Sequence, residues 1–213
     1  MKKIFALLFF VALAGCQPTK ITRTWTSGNP EPKKYKKILV LGVLTDKDKE
    51  LGHKMENHLA DELRAMGYLA LASNKIYPEG TFVKGDTARA VAALQNQGFE
   101  GIMTIVLLDK KKEPYYVPGR VTDYSQFERM SAFHRYYNTV AEKIYAPGYY
   151  GEETKYTWEN NFYDLLSREL VYSARTRSID YTSVNTLAHT YGRLMAENLV
   201  KKNILVKPEA ADD

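Results

Sequence analysis

The chain has 213 residues, of which 45% are hydrophobic and 26% charged, with a formal net charge of +5 and one cysteine. That length and composition fit one folded domain with a sizeable core, and a single cysteine excludes an internal disulfide. The basic excess is too small to argue for nucleic acid.

Lys2 and Lys3 precede an unbroken apolar run from Ile4 to Ala14, followed by Gly15 and Cys16. A basic start, a short apolar stretch and small residues at a cut are the anatomy of a secretory signal over residues 1–15. The run is shorter than the roughly 20 residues a membrane-spanning helix needs. Leu13-Ala14-Gly15-Cys16 resembles the lipobox of bacterial lipoproteins. That resemblance implies cleavage between Gly15 and Cys16, diacylglycerol on the Cys16 thiol and attachment to a membrane. Several acyl chains at one residue anchor firmly, because each buried methylene contributes about 0.8 kcal/mol. In lipoprotein sorting an aspartate after the cysteine favours the inner membrane, so Gln17 is compatible with the outer membrane. Cleavage also removes Lys2 and Lys3, so the 30 basic residues become 28 against 25 acidic ones.

Residues 16–35 have the composition of a tether, with Pro18, Gly28, Pro30 and Pro32 among basic side chains. Such a spacer reaches roughly 25 Å on average. Ile21 to Trp25 breaks this pattern by alternating, which fits an added edge strand. A single α/β domain is expected over residues 36–206, with a frayed tail at 207–213. Ile38 to Leu44 is apolar throughout, as in a strand buried on both faces. Leu51, Met55, Leu59, Leu63 and Met66 then form one helical stripe, and Gly67 ends that helix. Tyr68–Ala72 is the second strand, Thr87–Gln97 a helix with Asp86 as its cap, and Gly101–Leu108 the third strand. This order predicts parallel pairing with right-handed crossovers.

Residues 110–153 interrupt the alternation and hold eight of the sixteen tyrosines. A hairpin over 155–178 turning through Asp164–Glu169 follows, and a last helix capped by Ser183 carries the stripe Leu187, Tyr191, Leu194, Met195 and Leu199. The expected class is therefore α/β with a mixed sheet: β-α-β-α-β, a long insertion, a β-hairpin and a C-terminal helix packed on the sheet.

A second resemblance rests on Lys36–Val43, Gly67-Tyr68, Tyr145-Ala146-Pro147-Gly148-Tyr149-Tyr150, Tyr156–Asp164 and Leu170-Val171-Tyr172-Ser173. Together with the lipobox these stretches resemble a group of small bacterial envelope lipoproteins to which no activity is assigned. Their domain is similar to the N-terminal domain of the Tol-system periplasmic protein B and to the curli-export lipoprotein. The resemblance implies fold and compartment but carries no catalytic residue. Leu165-Leu166 departs from it, since such proteins have polar residues in that turn.

His53 and His58 are five apart and point about 140° from each other on a helix, so they do not form an i, i+4 metal pair and read as solvated positions. No nucleophile elbow, S-x-x-K or phosphate-binding loop occurs. No catalytic residue, metal site or cofactor is therefore expected. Glu152, Glu153 and Glu159, with His134, leave a hydrolase acting on cell-wall or glycan material as the alternative. The favoured reading is a non-catalytic binding or assembly module of the cell envelope, with an envelope protein or a saccharide as partner. Tyrosine supplies rigid contact area with a polar tip, so Tyr115, Tyr116, Tyr136, Tyr137, Tyr149 and Tyr150 are the candidate binding surface. The competing view of the insertion is a flap whose rings cover the sheet.

Overall fold

The structure, a computed structural model, describes residues 19–28, 30–78, 81–82, 87–117, 137, 148–179, 181 and 183–206. Cys16, Asp86, His134 and Tyr136 lie outside these residues. Compactness divides the chain into two units, residues 1–110 with 156–213, and residues 111–155.

The class is mixed α/β. Six strands form one sheet in the order β1-β6-β5-β4-β2-β3. β2 (Lys37–Val43) lies between β3 (Leu69–Ala72) and β4 (Gly101–Val117), parallel to both. α1 (Lys49–Ala65) links β2 to β3. α2 (Ser73–Ile76) and α3 (Thr87–Asn96) occupy the connection from β3 to β4. β5 (Tyr149–Asp164) and β6 (Glu169–Ile179) follow, and α4 (Val184–Lys201) closes the fold. The four-residue turn between β5 and β6 makes them an antiparallel hairpin, because a parallel pair needs a crossover.

The first half of the apolar run of β2 is explained by what covers it, whereas Val43 at its end is exposed. Ile38 and Val40 join a core built from Met55, Leu59 and Leu63 of α1, Tyr191, Met195 and Leu199 of α4, and Trp158 and Tyr172 of the hairpin. Leu39 points the other way, into a smaller cluster with Leu94, Phe99 and Leu165. Alternation along the strand thus feeds two cores. Leu165, which departed from the polar pattern expected at the hairpin turn, is buried in the second cluster, whereas Leu166 is exposed.

α1 and α4 approach closely through a glycine. A Cβ on Gly192 would stand 3.0 Å from the backbone of His58 and Leu59. Ser183 caps α4 as expected, its Oγ accepting from the Thr186 amide at 3.1 Å.

Two expected boundaries move. Most of the tether expected at 16–35 is bound to the fold. β1 (Thr19–Thr26) pairs antiparallel with β6, Tyr35 is buried, and the Lys33 amide donates to the Ile204 carbonyl. Ile21 packs on the core and Thr19 Oγ1 meets Ser178 Oγ at 3.1 Å, so side-chain burial overrides the linker-like composition. Arg23 and a register shift beside it blunt this edge. The insertion also begins later and ends earlier than expected, because β4 runs on to Val117 and β5 starts at Tyr149.

The hairpin turn is fastened by Asp164. Its Oδ1 accepts from the amides of Leu166 and Ser167, and its Oδ2 accepts from Lys33 Nζ at 2.6 Å. Burial alone would raise this carboxyl, but Lys33 and the two amides outweigh burial and hold it below its ordinary value. A group depressed in the folded state contributes stability above its unfolded pKa, and that contribution is lost as pH falls through the folded value. Asp164→Asn should therefore flatten the loss of stability on acidification below about pH 4, measured by urea unfolding across pH. An acid limb as steep as that of the parent would contradict this assignment. Gly192→Val should cost about 1–3 kcal/mol in the same assay, as overpacking does.

Candidate functional site

Two features of the described surface stand out, one in each unit. In residues 111–155 the described strand segments are Lys111–Val117 of β4 and Tyr149–Lys155 of β5. Side chains alternate along each strand, so Tyr116 shares a face with Tyr150, and Tyr115 shares the opposite face with Tyr149. The Tyr116 and Tyr150 rings meet at 5.2 Å, tilted by 51°. Tyr115 crosses Gly151, where an added Cβ would stand 2.6 Å from its Cζ. Glycine here lets an aromatic ring lie across the neighbouring strand.

Charge pairs hold the ribbon below the tyrosines. Lys155 Nζ lies 2.5 Å from Glu113 Oε2 and 2.7 Å from Glu153 Oε1, and Lys112 pairs with Glu152 at 3.7 Å. Glu113 first, then Glu153, raises the Lys155 ammonium above its ordinary value. Despite these contacts the four tyrosines stay 43 to 77% exposed. Tyr137 is also exposed and makes an interaction of its own.

The second feature is a cleft of about 370 Å³ at the carboxyl ends of β2 and β3. β2 and β3 run parallel and both end here, at the carboxyl side of the sheet where open parallel sheets place crevices. Glu56 of α1 forms part of the wall and is buried. Its Oε1 accepts from the Gly42 amide at 2.8 Å. Its Oε2 accepts from Ser73 Oγ at 2.9 Å, the Asn74 amide at 2.9 Å and Asn74 Nδ2 at 2.8 Å. One carboxylate thus ties α1 to the end of β2 and the start of α2. A Cβ on Gly42 would sit 2.8 Å from that oxygen, so the contact needs glycine.

The sequence reading missed Glu56. The signal was present: Gly52, Glu56 and Ala60 form an i, i+4 row in which a carboxylate is flanked by small residues, and all three are buried. His58, read as solvated, meets His189 of α4 edge to face with ring centroids 5.7 Å apart. His189 Nδ1 lies 3.8 Å from Glu62 Oε1. Among the described residues no three His, Cys, Asp or Glu side chains are grouped to hold a metal ion. The acids weighed for hydrolysis are dispersed into ion pairs, Glu152 with Lys112, Glu153 with Lys155 and Glu159 with Arg175. Among the described residues no helix is long and apolar enough to cross a membrane.

No protein-family model and no curated protein matches the sequence. Among solved structures the chain is similar to the PelC dodecamer from Paraburkholderia phytofirmans. The identity is 13%, over 89% of this chain and 99% of that one, with a TM-score of 0.47. It is also similar to lipoprotein GNA1162 from Neisseria meningitidis, at 14% identity over 78% of this chain and 98% of that one, with a TM-score of 0.40. Scores this low carry no family and no activity across to this chain.

Glu56→Ala would strand four donors beside the cleft. With water able to reach some of them, it should cost about 1–3 kcal/mol by urea unfolding. A loss within experimental error would show that the clamp is dispensable.

Proposed function

We propose that this chain is a lipid-anchored protein of a bacterial cell envelope that works by binding rather than catalysis, with the tyrosine ribbon as its contact surface. The observation that carries this reading is the exposure of Tyr115, Tyr116, Tyr149 and Tyr150 on both faces of a narrow two-stranded ribbon. Four large rings left in water serve no core, and tyrosine binds well because a rigid ring loses little entropy when covered. Rings on both faces of the described strand segments favour a protein partner that wraps or clasps the ribbon over a small ligand, which is held in a concavity. Tyr136 and Tyr137 belong to the same insertion and would extend the surface. Attachment rests on Cys16 in its lipobox, and Gln17 supports the outer membrane as destination.

Catalysis has less support. The acids that might have served are engaged in ion pairs on the ribbon and the hairpin, and Glu56 has both oxygens occupied by donors. A general acid or base needs an oxygen facing substrate.

Replacing Tyr115, Tyr116, Tyr149 and Tyr150 together by Ser should abolish co-purification of the envelope partner after crosslinking in cells, with the urea midpoint of residues outside the ribbon unchanged. An undiminished partner would refute the assignment. Cys16→Ala should move the protein from the membrane fraction to the soluble one, and continued membrane retention would refute the anchor.

A further inference from the structure

We propose that the cleft at the carboxyl ends of β2 and β3 is a binding site for a neutral saccharide ring. It is independent of the tyrosine ribbon, which belongs to the other unit. At about 370 Å³ it lies in the range of small-ligand pockets and accommodates one or two sugar rings.

The two sides of the cleft differ in chemistry. One carries Tyr77 and Phe82, which meet edge to face at 5.1 Å and 82° and are half-buried against the smaller core. The Tyr77 hydroxyl is fixed by donating to Gln97 Oε1 at 2.5 Å, so this apolar wall is rigid. The other side carries Asp46 and His53. Among the described residues neither side chain has a hydrogen-bond or ion-pair partner. Asp46 offers an acceptor, and the imidazole of His53 offers a donor and an acceptor. Between them the Glu56 clamp keeps the wall from collapsing, since its oxygens are already satisfied.

Other ligand classes fit less well. An anion would face Asp46, with Glu56 buried just behind. A cation would meet Lys49, which also lines the cleft. A wholly apolar molecule would strip water from Asp46 and His53 without replacing it. A nucleotide would want a glycine-rich phosphate cradle, which the sequence lacks. A sugar ring has one apolar face for an aromatic wall and a rim of hydroxyls that both donate and accept. It answers both sides of the cleft at once.

The test is saturation-transfer NMR on the purified full-length protein with N-acetylglucosamine, glucose and galactose as probes, and galacturonate as the charged counterpart of galactose. At least one neutral sugar should show transfer to its ring protons. Phe82→Ala should remove the signal, and Asp46→Asn should weaken affinity about tenfold, as loss of a charged hydrogen bond does. Asp46 is exposed, so its variant should keep the parent urea midpoint and separate binding from folding. The quadruple tyrosine variant of the ribbon should bind the sugar unchanged, so this site and the ribbon can fail separately. The proposal is overturned by no transfer to any neutral sugar. Transfer that survives both cleft variants, or galacturonate binding as well as galactose, would overturn it equally.

Discussion

Burial of β2 on both faces is the constraint on which the rest of the structure depends. A strand whose residues alternate between two cores must be covered twice, and Ile38, Leu39 and Val40 are each fully buried. The covering elements follow from that requirement. α1 and α4 lie over Ile38 and Val40, and α3 with the hairpin turn lies over Leu39. β2 and β3 run parallel, so the chain leaves both strands side by side at the same edge of the sheet. The cleft arises there as a consequence of topology, and the Glu56 clamp braces it.

The strands that leave this core behave differently along their length. β4 begins as buried sheet, with Gly101, Met103 and Ile105 inside, and ends with Tyr115 and Tyr116 in water. β5 makes the same change in reverse, from exposed Tyr149 and Tyr150 to buried Trp158 and Phe162. Each strand is therefore part scaffold and part display. Cross-strand ion pairs and glycines under aromatic rings give the displayed part its own order, where an isolated ribbon would otherwise be marginal.

Much of the scaffold was legible because its signals were periodic. The run at Ile38, the stripe through Leu51 and Leu63, and the Ser183 cap each state one local preference that tertiary packing did not override. β1 was half legible. Its alternation from Ile21 to Trp25 pointed to a strand, while the prolines and lysines flanking it pointed to a linker, and only pairing with β6 decides between them. Lys110 to Lys112 and Pro114 disguised the far end of β4, because charge and proline are usual in loops and equally usual on exposed ribbons. The tyrosines were legible as residues but not as two faces, which depend on the register between β4 and β5. The burial of Glu56 left a trace in the small residues spaced around it on α1, but its partners on β2 and α2, like the meeting of His58 with His189, lie on other elements and only the fold brings them together.

The most direct test of the central claim, that the ribbon is where this protein meets its partner, is site-specific photocrosslinking in living cells. A photoreactive residue would be placed at Tyr150 on the ribbon and, in a separate strain, at Arg193 on the exposed face of α4. The account predicts a discrete protein adduct from position 150 and none from position 193. Adducts from position 193 alone would contradict it and move the contact surface to the helices of the scaffold.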